Sequence, residues 1–308
     1  MPFQDNYSAR RVYWPSQETT SDFEPLSTNT AGSHDLATDG VLICGRATKG
    51  QTLLFTSSDL WTMTYIGGEF LYSFERAGDN CGNVGPNAVA IADTEALWMG
   101  YNTFHVFDGY VRPIPCDVTD YVFGDFSSSN AYKVWAFANP RFGEITWHYP
   151  SGSATECDRY VTYNRLEQHW VFGDLARSAG VTKRAGAVVP VPVMIGSNGA
   201  IYDHETGTAH GGVLPFLESG PIELGDGDNV VRVQRIVPDD KTQGDVTLSI
   251  YGAMSPNGEE TLYGPYTVSS PTDVRLTARQ VRLRIVESVA TSWRVGVLRL
   301  GGIIGGRR

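Results

Sequence analysis

Leu53-Leu54-Phe55-Thr56, a short polar turn, and Leu60-Trp61-Thr62-Met63 form an apolar hairpin that the chain then repeats. Val89-Ala90-Ile91-Ala92, a turn and Leu97-Trp98-Met99 make the second copy, with the two Leu-Trp pairs 37 residues apart. Looser copies follow at Val134-Trp135-Ala136-Phe137 with Ile145-Thr146-Trp147, at Tyr160-Val161-Thr162-Tyr163 with His169-Trp170-Val171-Phe172, and at Val193-Met194-Ile195-Gly196 with Ala200-Ile201-Tyr202. An interval of roughly 40 to 50 residues is the size of one four-stranded propeller blade, a unit that buries its apolar faces only by stacking on neighbours. The spacing predicts that Leu60-Trp61 and Leu97-Trp98 hold equivalent positions in successive blades.

The 308 residues are 41% hydrophobic, enough for a substantial core, and Gly 34 and Pro 16 punctuate many short segments. No window holds an amphipathic helical period, so the class is all-β. Residues 1–40 read as a loop-rich N-terminal arm with one dense aromatic cluster, Tyr13-Trp14-Pro15. Residues 41–212 read as a β-propeller-like repeat domain of four to five blades, with turns at Gly67-Gly68, Asp108-Gly109, Ser151-Gly152 and Asn198-Gly199. Residues 213–308 alternate polar and apolar side chains, as in Val230-Arg232-Gln234-Ile236, Val246 to Tyr251, Val274 to Leu276, Gln280 to Val286 and Trp293 to Leu300. Such alternation marks strands with one face in a core, and about six of them predict a C-terminal antiparallel β-sandwich. Val281-Arg282-Leu283-Arg284-Ile285 and Arg294 to Leu300 put arginines on the outer face, read as a solvated charged face or a dock for an acidic neighbour. The tail Gly301 to Arg308 is expected to be flexible unless it packs on a partner.

Charge is unevenly placed, with 24 acids against 13 bases in residues 1–221 and 10 against 11 in residues 222–308. An acidic repeat region repels the phosphate backbone, which disfavours DNA binding but suits a conduit through which DNA slides. Met1 to Arg11 lacks the apolar core of a secretory signal, and no later run approaches a membrane span, so a soluble, non-exported chain is expected.

A search for chemistry assigns no catalytic, cofactor-binding or metal-ligating residue. Cys44, Cys81, Cys116 and Cys157 never form C-x-x-C and read as buried free thiols. The six histidines, His34, His105, His148, His169, His204 and His210, lack ligand spacing. Gly225-Asp226-Gly227-Asp228-Asn229 reads as a turn rather than a calcium loop. Asp35, Asp39, Asp93, Glu95, Asp108, Glu144, Glu156 and Asp158 sit in or beside turns, and sequence cannot pair them as a glycosidase would require. Ser57-Ser58-Asp59-Leu60-Trp61 has the wrong order for a sialidase-type box, and no nucleophile elbow or phosphate loop occurs. Most aromatics read as packing between blades, while Tyr13, Trp14 and Trp170 are the candidates for partner contact.

Several of these segments carry a family resemblance. They are Asp59 to Gly68, Phe74-Glu75-Arg76, Cys81-Gly82, Gly85-Pro86, Leu97-Trp98-Met99-Gly100, Phe107-Asp108-Gly109, Pro113-Ile114-Pro115-Cys116, Asn139 to Ile145 and Trp147-His148-Tyr149-Pro150. In that order, over about Val41 to Arg308, the chain resembles the tail nozzle or hub ("phage stabilisation") proteins of short-tailed bacteriophages. The resemblance implies a non-enzymatic virion protein, assembled in the host cytoplasm, that forms a homo-oligomeric ring, usually a hexamer. Such a ring lies below the portal and adaptor proteins, extends or closes the DNA ejection channel without binding DNA specifically, and supports tail fibres or a needle. No cofactor and no membrane insertion are implied. The chain is shorter than relatives of that type, which leaves blade number and any fibre-docking platform open. A carbohydrate-binding or glycoside-acting β-propeller with an accessory sandwich is the alternative, against which stand the missing signal and sialidase boxes. A cellular propeller scaffold is weaker still, for want of Trp-Asp or double-glycine signatures.

Overall fold

A computed structural model describes residues 8–68, 70–182, 191–208, 214–225 and 229–307. It is all-β, and the chain divides into two compact units, Met1–Glu205 and Thr206–Arg308. The boundary expected at 212/213 falls on residues outside those described, as do His210 and Asp226 to Asp228.

The first unit opens with a hairpin of β1 (Arg11–Trp14) and β2 (Gly32–Asp35). The arm is fastened rather than loose. Trp14 lies on Tyr72 and Phe74, Leu36 enters a core with Leu54 and Trp61, and Arg11 pairs with Asp35 at 2.6 Å.

Four antiparallel meanders follow, each pairing its strands in chain order. The first is β3 (Leu42–Thr48), β4 (Gln51–Thr56), β5 (Leu60–Tyr65) and β6 (Tyr72–Gly78); the second is β7 (Val89–Ala92), β8 (Glu95–Met99), β9 (Phe104–Phe107) and β10 (Val111–Ile114). A short helix α1 (Thr119–Gly124) and a 3₁₀ turn (Ser128–Lys133) lead to the third: β11 (Trp135–Asn139), β12 (Glu144–Tyr149), β13 (Arg159–Asn164) and β14 (His169–Asp174). The fourth has three strands, β15 (Arg177–Val181), β16 (Val193–Gly196) and β17 (Ile201–Asp203).

Two sequence expectations are corrected by this order. Leu60-Trp61 lies on β5, the third strand of its meander, whereas Leu97-Trp98 lies on β8, the second strand of its own. The cause is β3, which precedes the first repeated hairpin, so that hairpin is the middle of one sheet while its echo opens the next. The hairpins at Val134 and Tyr160 are likewise two halves of one sheet, so counting hairpins does not count sheets. The structural period is read from the second strands, which begin at Gln51, Glu95, Glu144 and Val193, spaced by 44, 49 and 49 residues. The equivalent tryptophans are therefore Trp98 and Trp147, the fourth residue of β8 and of β12, each 0% exposed.

Successive meanders share cores. Leu97 and Met99 of β8 pack with Ile145, Trp147 and Tyr149 of β12, while Ala96 and Trp98, on the opposite face of β8, pack with Leu53, Phe55 and Leu60. Trp135 and Phe137 of β11 pack with Met194 of β16. β7 runs beside β11 and β11 beside β15, so the first strands of these meanders neighbour one another.

One turn shows how the polar groups of such a stack are satisfied. Asp59 is buried between β4 and β5, and its Oδ1 accepts hydrogen bonds from the hydroxyls of Thr38 (2.5 Å), Ser58 (2.6 Å) and Thr56. Burial alone would raise the Asp59 carboxyl, but these donors together with the Trp61 indole hold it below the usual carboxylate range. The same turn backs onto Gly82, where a Cβ would collide with the Ser57 carbonyl.

The second unit contains β18 (Phe216–Glu218), β19 (Ile222–Glu223), β20 (Asn229–Pro238), β21 (Val246–Ala253), β22 (Thr261–Thr267), β23 (Thr272–Ala278), β24 (Gln280–Glu287) and β25 (Leu298–Arg307). They form two antiparallel sheets, β18-β24-β21-β22 with β19 also on β24, and β23-β20-β25. Both sheets contribute to one apolar core, through Leu248, Ile250, Val281 and Ile285 on one side and Val233, Ile236, Val274 and Leu276 on the other.

Two details depart from the sequence reading. In β20 the core residues are Val231, Val233 and Ile236, because a bulge between Val233 and Arg235 shifts the parity of the strand. The glycine-rich tail is a strand: Gly302, Ile303 and Ile304 pair with Val233, Arg232 and Val231. Gly302 permits this approach, since a Cβ there would sit 2.8 Å from the Arg232 carbonyl oxygen.

Candidate functional site

The turns at one end of the second and third meanders enclose a cleft of about 850 Å³ in the first unit. Its floor is apolar, with Leu97, Val106 and Ile114 continuing the buried core. Its rim comes from turns. Asp93, in a left-handed conformation (φ 57°), closes the β7–β8 turn, and Glu95 begins β8. Gly143, at φ 69°, closes the β11–β12 turn and lets Leu166 approach, while Glu144 begins β12. Glu95 and Glu144 thus occupy the same position in consecutive meanders.

Arg165, from the β13–β14 turn, crosses to the second meander. Its Nε and one terminal nitrogen donate to Glu95 Oε2 at 3.1 and 2.7 Å, and the other terminal nitrogen lies 3.4 Å from Asp93 Oδ2. Arg112 is paired with Asp108 at 2.7 Å. Glu144 has no salt bridge among the described residues. Burial pushes its carboxyl above the usual range, nearby Glu205 adds to the shift, and a hydrogen bond from Asn164 offsets part of it. Burial likewise raises the phenol of Tyr163.

Of the carboxylates singled out in the sequence, the cleft gathers Asp93 and Glu95, while Glu144 borders it with its side chain on the other face of β12, the face of His148 and Tyr160. Four of the others serve local structure: Asp35 pairs with Arg11, Asp108 with Arg112 and Glu156 with Lys133, while Asp158 accepts from Ser151. Arg165 was missed, because its role depends on a contact 70 residues away in sequence. The 49-residue spacing of Glu95 and Glu144 was the one signal in the sequence that could have linked the two meanders.

The aromatics set aside for partner contact are engaged within the unit. Trp14 donates to the Thr30 carbonyl, Tyr13 lies near the Arg11 guanidinium, and Trp170 donates to the Pro115 carbonyl while packing on Phe104 and Tyr163. All four cysteines are free, and burial pushes Cys81 to about 11 and Cys157 to about 12. His148 is buried under Trp135, at 4.4 Å between ring centroids, and desolvation, with His204 and Arg177 nearby, lowers it to about 3. Among the described residues no group of three or more His, Cys, Asp or Glu could hold a metal ion. No described helix is long and apolar enough to cross a membrane.

The arginine-bearing face of β24 is neutralised from within the second unit. Arg282 pairs with Glu218 and with Glu260 (2.5 Å), Arg284 pairs with Glu218 at 2.8 Å, and the two guanidinium groups lie over Tyr251 and Phe216.

No protein family matches the chain, and no curated protein is similar to it. Among solved structures it is similar to a glycoside hydrolase, at TM-score 0.27 and 12% identity over 80% of this chain and 81% of that one. It is also similar to an S. cerevisiae Dbp5 variant bound to Nup159, a Gle1 variant, IP6 and ADP, at TM-score 0.25 and 10% identity over 83% and 77%. Scores this low bear on neither the fold nor the activity of this chain.

Proposed function

We propose that the chain is a structural subunit of a short bacteriophage tail, of the nozzle or hub type. In this reading the stacked meanders of residues 41–212 are blades of a β-propeller and residues 213–308 are a β-sandwich. Copies close into a ring, most simply a hexamer, below the portal and adaptor, and the ring extends or closes the DNA channel and supports fibres or a needle. The protein works in the virion and performs no catalysis.

The observation that carries the proposal is the edge formed by β25. This ten-residue strand pairs with β20 alone among the described residues, and it exposes Ile303 at 60% and Ile304 at 64%. A long apolar edge on a stable sheet is an aggregation hazard unless an assembly covers it. The acidic balance of residues 1–221 supports a surface along which a duplex passes without adhering.

Light scattering coupled to size-exclusion chromatography, followed by cryo-electron microscopy of any particle, tests the proposal. A closed ring with an acidic or neutral polar bore is expected. A chain that stays monomeric at every concentration, or a ring with a strongly basic bore, defeats it.

A further inference from the structure

We propose that the cleft between the second and third meanders binds a short neutral saccharide. The inference is independent of whether the protein forms a ring. The space, about 850 Å³, falls within the size range of small-molecule sites, and it combines an apolar floor with a rim of many polar groups. A sugar ring presents the matching chemistry: C–H groups on its faces and hydroxyls that both donate and accept.

The charge pattern selects against other ligands. Arg165 is already neutralised by Glu95 and Asp93, and Arg112 by Asp108, so no uncompensated positive charge is left to hold an anion. Asp93 and Glu95 on the rim would repel one. A cation would find Asp93 and Glu95 already paired and would approach two arginines to reach them. A purely apolar ligand would strip water from the rim carboxylates without replacing their hydrogen bonds. A neutral polyol can instead donate to Asp93 and Glu95 and accept from the Arg165 guanidinium and the Gln168 amide, while its ring packs on the floor and Tyr163. Arg165 is fixed by three contacts before any ligand arrives, which lowers the ordering cost of binding.

The test uses the full chain and three neutral probes, maltotriose, cellotriose and chitotriose, followed by saturation-transfer NMR and calorimetry. At least one probe is expected to saturate. Its affinity should change by no more than about twofold between low and high salt, since no net charge is screened. Glu95→Gln and Arg165→Ala should each weaken it roughly tenfold, the effect of losing a hydrogen bond to a charged group. Asp93→Asn, at a side chain 85% exposed, keeps the experiment readable if the Arg165 variant does not fold, and should weaken binding by about threefold or more. The site assignment is overturned if no probe saturates, if binding survives Glu95→Gln and Asp93→Asn unchanged, or if inorganic phosphate displaces the saccharide.

Discussion

In the first unit β12 is buried without interruption from Ile145 to Tyr149, whereas β23 in the second unit turns Val274, Leu276 and Ala278 inward and Asp273, Arg275 and Thr277 outward. The two patterns report two kinds of neighbour. A sheet packed on both faces leaves no position for water along its central strands, while one layer of a two-sheet core has an outer face that must be polar. The first unit therefore places polar side chains such as His148, Asp59 and the Trp98 indole inside, each needing a local partner or a neutral state. The second keeps its charges outside, on the surface ladder of Arg282, Arg284, Glu218 and Glu260.

The sharpest way to break this comparison is to remove a side chain that serves the stack. Trp147→Ala is expected to destabilise the first unit by roughly 3–5 kcal/mol, the cost of a large aromatic cavity, while leaving the unfolding of the second unit unchanged. Differential scanning calorimetry resolves the two transitions, and a loss under about 1 kcal/mol would show that Trp147 is not enclosed between sheets. Asp59→Ala should cost roughly 2–3 kcal/mol, because it strands buried hydroxyl donors on Thr38 and Thr56. Urea denaturation followed by circular dichroism measures it, and Asp59→Asn should recover part of the loss.

Acid sharpens the comparison further. The unfolded His148 imidazole takes up a proton near 6.5 and the folded one only near 3, so the stability this residue confers is complete above pH 6.5 and falls as the pH drops toward 3. The slope is about 1.4 kcal/mol per pH unit, or about 2 kcal/mol by pH 5. Denaturation curves of His148→Phe should show most of that slope removed, with His105 and His204, also lowered by burial, supplying the remainder. An unchanged slope would place His148 in contact with water. The smallest effect is expected on the outer face of the second unit, where Arg282→Ala should shift stability by less than about 1 kcal/mol, as exposed ion pairs do. A larger loss in thermal melts would mean that the ladder is part of a covered surface.

The same contrast explains what the sequence disclosed. Alternation made β21, β23 and β24 legible, since one buried face writes a period of two into the chain. It failed at β20, where a bulge resets the parity, and at β25, where glycines read as a flexible tail although they are what lets the backbone pair with β20. In the first unit the apolar runs located the strands, but strands buried on both faces carry no mark of their place in a sheet. The Leu-Trp echo consequently joined β5 to β8, and the equivalence of Trp98 with Trp147 emerged only from strand pairing. The cleft was half visible: Asp93 and Glu95 were recognisable as turn carboxylates, while Arg165, which crosses between meanders, was not.

Because alternate residues of β8 belong to two different cores, the second meander cannot come apart without exposing one face of the first and one face of the third. Coupling of this kind is between nearest neighbours, as in linear repeat arrays. Unfolding would then start at outer sheets and travel inward, and the last amides to exchange with solvent should be those of β8 and β12. The two strands that begin with Glu95 and Glu144, at the border of the cleft, are thus the slowest-opening part of the first unit, so a ligand held there would meet a surface that moves little on the timescale of its own departure.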